Sequence, residues 1–282
     1  MNRLFLFAGY DPRGTVRESL VYYAEALSRC GDVVFAADND AAADELAKLA
    51  HCTLHAQADR HGEYDFGSYK RAWLWAKANL RIESYDFVYM VNDSVIGPLY
   101  DLMPYLERME SSGRDAFGLV FNPMKRGPHI QSWFIGMTRR MSLSPAFDRF
   151  ITSVTHHDDM TEIYCRYEWG FTRLAAEMGL DFGGLYVVRG KRIYNRVAQL
   201  YRRGLPFFKK SAFTRHNGAL GAQVEYVLAH IDQRLADAVR REVEELYGDG
   251  ILTDSPLVCA FRYLKYAIGK VGKKIFWRGK YN

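Results

Sequence analysis

Cysteine is sparse, and its spacing excludes more than its number does. Cys30, Cys52, Cys165 and Cys259 stand far apart and form no Cys-x-x-Cys pair. That argues against a zinc cluster and a disulfide framework, and it suits a reducing cytoplasm. Uninterrupted apolar runs are short, with no window approaching the roughly 20 residues needed to cross a bilayer. The start, Met1-Asn2-Arg3-Leu4-Phe5-Leu6-Phe7-Ala8, lacks the longer apolar region of a signal peptide. The segment Gly9-Tyr10-Asp11-Pro12-Arg13-Gly14 contains neither Gly-x-Gly-x-x-Gly nor a P-loop lysine. Neither a dinucleotide fold nor a P-loop enzyme is therefore supported. No internal repeat or low-complexity segment is visible. What remains is 282 residues, 49% hydrophobic, with a net charge of only +5. Such a chain can bury a substantial core as one large domain, or as a domain with a helical extension. Its basic residues concentrate near the end and no nucleic-acid-binding module appears, so no nucleic-acid partner is expected.

The first half alternates strand and helix. Residues 4–8 form a short apolar strand. Thr15-Val16-Arg17-Glu18 has the form of a capping box, and Val16, Leu20, Tyr23 and Leu27 follow at helical spacing until Cys30-Gly31. Residues 32–37 are the next strand, closing on Asp38-Asn39-Asp40, so the order is that of a right-handed βαβ start. A short strand is expected around residues 52–56. Ser68 reads as the cap of a helix that carries Tyr69, Trp73, Ala76 and Leu80 on one face. Gly67 just before that start would let a ligand approach free amides. Lys70 and Arg71 in a first turn run against the helix dipole unless something anionic offsets them. The bland alternative is that both side chains extend into water.

The stretch Tyr85 to Gly97-Pro98 organises the chain. Aromatic and β-branched residues run into Asn92-Asp93-Ser94, as in a strand buried on both faces of a mostly parallel sheet. Open α/β sheets bind ligands beyond the carboxyl ends of their strands, where Asp93 would hold a cation or a polar substrate. Asn, Asp and Ser also make ordinary turns, so the stretch alone leaves both readings open. Downstream, residues 100–112 read as a helix with Leu102, Leu106 and Met109 inward. Strands follow at 116–121 and 129–137, and Ser144-Pro145 starts a helix. His156-His157-Asp158-Asp159 is read as a solvated break, since no ligand spacing supports a closed metal site. A helix carrying Tyr167-Glu168 ends at Gly179, and a last short strand occupies residues 185–188.

The alternation stops beyond about Arg189. Val224, Val227, Leu228, Ile231, Leu235, Val239, Val243 and Leu246 mark a long amphipathic helix. Residues 261–282 carry Arg262, Lys265, Lys270, Lys273, Lys274, Arg278 and Lys280 without one acidic residue. Phe261, Leu264, Ile268, Val271 and Ile275 share a face. A basic, aromatic, amphipathic helix of this kind suits an anionic membrane surface, or docks on its own domain. The expected division is a catalytic domain over residues 1–215 and a helical extension over 216–282.

The order of a glycine-led basic helix, Asn92-Asp93 and a later Glu168 is similar to that of nucleotide-sugar glycosyltransferases with the GT-A fold. The sequence more specifically resembles the rhamnan synthesis protein F family. Gly62-Glu63-Tyr64-Asp65-Phe66-Gly67-Ser68-Tyr69-Lys70 and Asn92-Asp93-Ser94 with Gly97-Pro98 carry the likeness. Ser132-Trp133-Phe134, Tyr167-Glu168 and Pro206-Phe207-Phe208-Lys209 extend it to about residue 215. The pattern departs at His61, where an asparagine is expected, and in Asn-Asp replacing Asp-x-Asp.

The resemblance implies a GT-A-like α/β fold with a mostly parallel sheet flanked by helices and a basic helical extension. It implies transfer of a sugar, dTDP-rhamnose being the favoured donor, to a glycan or lipid-linked glycan of a bacterial surface polysaccharide such as O-antigen, capsule or lipopolysaccharide. The expected donor-binding set is Gly9, Tyr10, Asp38, Asp65, Gly67, Lys70, Arg71, Asn92, Asp93 and Ser94. The expected acceptor set is Ser132, Trp133, Tyr167 and Glu168. The leaving diphosphate must be neutralised, by Mg²⁺ or Mn²⁺ at Asp93 or by Lys70 and Arg71. A single hard oxygen ligand would hold such an ion weakly. Glu168 is the expected base for an inverting transfer, ahead of Asp158 and Asp159. The expected location is the cytoplasmic face of the inner membrane, peripherally bound. A non-catalytic carbohydrate-binding subunit and a nucleotide-sugar hydrolase are the alternative readings.

Overall fold

The computed structural model describes the backbone of residues 1–125 and 127–278, and side chains as far as Lys270 apart from residue 126. The chain divides into two compact units, one ending at Gly190 and one beginning at Lys191. Residues 191–215 therefore fall with the second unit.

In the first unit β1 (Arg3–Gly9), β2 (Asp32–Ala37), β3 (His55–Ala58) and β4 (Phe87–Asn92) run parallel in the spatial order β3-β2-β1-β4. The two-residue β5 (Val95–Ile96) lies outside that sheet. Four more strands complete it: β6 (Ala116–Asn122), β7 (His129–Ile130), β8 (Phe134–Thr138) and β9 (Phe182–Val187). β8 inserts antiparallel between β4 and β6, β7 pairs antiparallel with β6, and β9 pairs parallel with it. The result is a mixed, mostly parallel sheet of eight strands flanked by helices, the α/β architecture expected from the sequence.

The helices are α1 (Glu18–Ser28), α2 (Ala43–Ala47), α3 (Tyr64–Asn79), α4 (Met103–Glu110), α5 (Arg139–Ser142), α6 (Pro145–Thr152), α7 (Met160–Ile163) and α8 (Trp169–Glu177). Every residue of β1 is buried, as a strand with both faces covered requires. Leu4, Leu6 and Ala8 join a cluster with Phe66, Tyr69, Trp73 and Ala76 of α3. On the other face Phe5 stacks on Tyr89 at 5.0 Å, and Phe7 meets Tyr23 of α1 edge-on at 4.8 Å. Burying each such ring contributes about 1.5 to 3 kcal/mol, so β1 anchors both layers at once.

Several local expectations hold. Ser144 accepts the Phe147 N–H at 3.0 Å and starts α6 at Pro145. Gly179 takes φ +67° just past α8, a conformation glycine adopts without a Cβ penalty. Others are corrected. α1 begins at Glu18 with no side-chain cap from Arg17, so the Thr15–Glu18 capping box does not form. The Asp11 carboxylate accepts from Arg13 N and Thr15 N, and Glu45 Oε2 accepts from Val16 N at 2.7 Å. Of the two amides a capping box would have served, Thr15 N–H is thus taken by Asp11. α3 begins four residues before Ser68, which is buried inside the helix. Lys70 and Arg71 therefore sit beyond its first turn, where the dipole argument no longer applies. Residues 129–137 form two strands, because the chain turns at Gln131–Trp133.

The second unit contains α9 (Arg192–Asn195), α10 (Val197–Arg202), the short β10 (Phe208–Lys209), α11 (Gly221–Leu228), α12 (Gln233–Tyr247) and α13 (Pro256–Arg278). The single long helix expected over 224–246 is two: the first ends at Leu228, and Asp232 caps the second by accepting Leu235 N–H at 3.2 Å. α13 docks through one side: Arg262 donates to the carbonyls of Gly218, Gly250 and Ile251, and Tyr263 and Tyr266 flank His216. Its Leu257, Phe261, Leu264 and Ile268 stay exposed. Among the described residues, no helix is long and apolar enough to cross a membrane. The tail side chains of residues 271–280 named above lie outside the described residues.

Candidate active site

The carboxyl ends of β1, β2, β3 and β4 bring Gly9, Asp38, Asp59 and Asn92-Asp93 to one rim of the sheet. Strand register does this directly: Ala8 is the partner of Asn92, and Gly9 of Ala37. Gly9 has no room for a side chain, since a Cβ there would lie 2.5 Å from the Phe35 ring. Tyr10, next in the chain, is 53% exposed.

Asn92 and Asp93 are both buried. The Asn92 amide nitrogen donates to Asp65 Oδ2 at 2.8 Å, and its Oδ1 accepts from the Ser94 hydroxyl at 2.5 Å and the Ser94 N–H at 3.1 Å. The Asp93 N–H donates to the Ala8 carbonyl at 3.1 Å, continuing the ladder one residue past β4. Asn92 thus fixes Ser94 on one side and Asp65, at the start of α3, on the other.

Asp38 performs a different task. Its Oδ1 accepts the N–H groups of His61 (2.9 Å) and Gly62 (2.8 Å), and its Oδ2 accepts that of Tyr64 (3.0 Å). Burial by itself would push this carboxyl up. The hydrogen bond from Gly62 N–H, with those from Tyr64 and His61 N–H, holds it below its ordinary value. The turn so gathered includes Tyr64 at φ +57°, a costly conformation for a tyrosine. His61 Nδ1 accepts from Glu63 N–H at 3.0 Å, which leaves its Nε2–H to donate to the Ser68 hydroxyl at 3.1 Å. Burial, then the Arg71 charge, lowers the His61 pKa, in keeping with that neutral tautomer. His61 is also why residue 67 is glycine: a Cβ would overlap Glu63 and come within 2.7 Å of the ring.

Lys70 and Arg71 are held by protein groups. Lys70 Nζ donates to the Val154 carbonyl at 2.7 Å and lies 3.5 Å from Glu63 Oε2. Arg71 bonds Asp59 at 2.9 Å, Glu63 at 2.8 Å and the Gly67 carbonyl at 3.1 Å. The anions offsetting these cations are Glu63 and Asp59.

Glu168 closes a π-helical turn, Tyr164–Glu168, a type of irregularity that recurs at functional sites. Its Oε1 accepts the Ser132 N–H at 3.3 Å and lies 3.9 Å from His129 Nε2. The Ser132 carbonyl accepts from the Tyr69 hydroxyl at 3.0 Å, and the next carbonyl, Trp133, accepts Asn92 N–H at 3.2 Å. Adjacent residues therefore anchor Glu168 and the Asn92-Asp93 motif. A buried chain supports that loop: His129 Nδ1–H donates to the Gly127 carbonyl (2.7 Å), Gln131 Nε2 donates to His129 Nε2 (3.2 Å), and Trp133 Nε1 donates to Gln131 Oε1 (3.3 Å). Trp133 and Tyr167 are too buried to present their rings to a ligand. The Tyr167 hydroxyl accepts from Thr155 N–H at 3.0 Å and meets His157 Nε2 at 2.9 Å. His156 meets the Gly62 carbonyl at 2.5 Å and Asp158 at 3.1 Å. The break at 156–159 thus laces to the Asp38 turn and to Tyr167. Sequence reasoning missed His129, Gln131 and Tyr69. The signal was present in His129-x-Gln131-x-Trp133, polar groups at period two within an apolar segment.

Among the described residues no group of three or more His, Cys, Asp or Glu converges as a metal cage. These side chains alone do not fit a closed metal site.

An α/β sheet whose carboxyl rim carries a buried Asn-Asp motif and an anchored glutamate defines, with the sequence family, a nucleotide-sugar glycosyltransferase. The chain belongs to the rhamnan synthesis protein F family, whose profile matches residues 33–245. No curated protein matches it significantly. Among solved structures it is similar to a putative nucleotide-diphospho-sugar transferase from Desulfovibrio desulfuricans, with TM-score 0.42 and 17% identity over 82% of this chain and 100% of that one. It is also similar to the Mn/GDP form of core-mannan synthase A from Aspergillus fumigatus, with TM-score 0.31 and 9% identity over 54% of this chain and 63% of that one. Likenesses this loose carry no argument about the site.

Proposed function

We propose that the chain transfers rhamnose from dTDP-rhamnose to a hydroxyl of a growing, lipid-linked surface polysaccharide with inversion at the anomeric carbon. The observation supporting this is the shared anchor: Ser132 N–H holds Glu168, and the neighbouring Trp133 carbonyl holds Asn92. Glu168 removes the acceptor proton as the acceptor oxygen bonds to the anomeric carbon. The bond to the nucleoside diphosphate breaks in the same step, and its electron pair leaves with the phosphate. Gly9, Tyr10, Asp65, Asn92, Asp93 and Ser94 form the donor side, and Ser132 with Glu168 the acceptor side. Trp133, Tyr167, Asp38 and Gly67 act by shaping these two sides. Lys70 and Arg71 brace Glu63 and Asp59 at the donor edge. Asp93 is the residue that would ligate Mg²⁺ or Mn²⁺, with donor phosphates and water completing the shell; the ion would supply charge neutralisation of the leaving group.

Glu168→Gln tests the base. It preserves shape and is expected to reduce the turnover number by about 10²- to 10⁴-fold, with donor-induced thermal stabilisation retained. Full activity in this variant removes Glu168 from the role.

The second unit supports peripheral attachment at the inner face of the plasma membrane. Leu257, Phe261, Leu264 and Ile268 recur at helical spacing on α13, all more than half exposed, beside a tail rich in lysine and arginine. Sedimentation with vesicles is expected to capture the protein only when anionic lipid is present, and Phe261→Glu combined with Leu264→Glu is expected to release it. Equal capture of the double variant refutes the attachment.

A further inference from the structure

Trp133 and Tyr167 are buried, which leaves the acceptor side without an aromatic surface from the expected set. Two other aromatics are exposed beside it. Tyr64 is 43% exposed and Tyr164 is 46% exposed. Each sits at a backbone irregularity: Tyr64 at φ +57° opening α3, Tyr164 opening the π-helical turn that ends at Glu168. The Phe66 and Tyr167 rings pack at 5.6 Å and bring these two segments together, two and three residues away from the tyrosines. Each exposed tyrosine is coupled in sequence to a carboxylate at the site: Tyr64 precedes Asp65, which Asn92 holds, and Tyr164 precedes Glu168 by four positions on one helical turn. Burial raises the Tyr164 hydroxyl pKa, and the charges of Glu168 and Asp65 and the nearby Tyr64 add to the effect, so all four groups share one neighbourhood.

An exposed ring beside fixed carboxylates matches a pyranose. The apolar C–H face of the sugar lies on the ring while its hydroxyls donate to the carboxylates. The strain at Tyr64 has a use in this setting. Asp38 accepts its N–H at 3.0 Å and keeps the residue in the left-handed region, a strained conformation of the kind that persists at ligand-binding segments. We infer that Tyr64 and Tyr164 form the stacking platform for the acceptor pyranose, with Glu168 receiving the attacking hydroxyl. This rests on the acceptor side being at Glu168, and it adds the residues that select a ring-shaped acceptor over water.

The test uses the full chain with a panel of methyl pyranosides, methyl α-L-rhamnopyranoside included, as acceptors. Tyr64→Ala and Tyr164→Ala are each expected to raise the acceptor KM by about tenfold. The rise is expected in the acceptor KM and not in the donor KM. Tyr64→Phe and Tyr164→Phe keep the stacking face and are expected to retain the native acceptor KM, which a loss of fold would not allow. Saturation-transfer NMR with the same glycosides on the Glu168→Gln protein reads acceptor binding with chemistry removed. An unchanged acceptor KM in both alanine variants overturns the platform while leaving the base intact. A rise confined to the donor KM also overturns it, by placing the tyrosines on the nucleotide. An active Glu168→Gln protein alongside alanine variants with raised acceptor KM sinks the base and keeps the platform.

Discussion

The central carboxylates at the two ends of the sheet are held in different ways, although at the edge of the carboxyl rim Asp59 and Glu63 are also paired, with Arg71. At the amino end Glu110 is paired with Arg3 through two bonds, 2.5 and 2.8 Å, and also accepts from the Tyr89 hydroxyl at 2.7 Å. Asp86 meets Arg139 at 3.0 Å, and Asp115 meets Arg140 at 3.1 Å. At the carboxyl end the central carboxylates receive neutral donors: Asp38 three backbone N–H groups, Asp65 the Asn92 amide, Glu168 the Ser132 N–H. A guanidinium neutralises a carboxylate and finishes its chemistry. An N–H orients it while leaving its charge to act on a ligand. The amino end is built to hold the sheet together, and the carboxyl end keeps usable charge at a fixed place.

Exchanging the damage between the two ends should separate these roles. Arg3→Met leaves Glu110, whose side chain is 1% exposed, as an uncompensated buried charge. It is expected to cost about 3 to 5 kcal/mol of stability, read from urea unfolding, with donor affinity unchanged in the protein that remains folded. Asp93→Asn at the other end is expected to remove transfer and to weaken nucleotide-diphosphate stabilisation in a thermal-shift assay with Mn²⁺, while unfolding stays within about 1 to 2 kcal/mol of the native protein. Equal effects of the two substitutions on stability would erase the distinction.

The sheet was legible in the sequence because burial on both faces leaves a plain mark: continuous apolar runs at residues 4–8, 33–37 and 87–91, the last two ending in polar residues. Asn92-Asp93 and Glu168 were legible as isolated residues, through the family resemblance. What joins them was not legible. The joint runs through the backbone of Ser132 and Trp133, and peptide groups carry no sequence signature. The start of α3 was misplaced for a related reason. Ser68 is a good cap by composition, but Asp38, 26 residues before Tyr64, already serves the amides of the turn that opens the helix. Local propensity lost to a tertiary hydrogen bond. Lys70 and Arg71 looked unsatisfied for the same reason, since Glu63 and Asp59 precede the expected helix.

The smallest predicted effect concerns His61, which stands at the carboxyl rim where asparagine was expected. Its ring accepts from Glu63 N–H and donates to Ser68, so the folded state holds it neutral. Asp38 and Arg71 face it, with Asp59 and Glu63 nearby. Burial and the Arg71 charge put its folded pKa below the ordinary 6.5. As pH falls below 6.5 the unfolded chain takes up a proton that the folded chain refuses, so stability declines with falling pH in that window, by at most about 1.4 kcal/mol per pH unit. His156 has the opposite sign. Its hydrogen bond to Gly62 and its contact with Asp158 raise its pKa, so its contribution is present below 6.5 and fades as pH rises. Comparing the native protein with His61→Asn cancels the His156 contribution. The native melting temperature should drop more steeply than that of the variant between pH 7 and pH values just below 6.5. Parallel curves would mean that His61 takes up its proton as readily in the folded as in the unfolded chain, and the neutral-donor character of the carboxyl rim would not extend to the Asp38 turn.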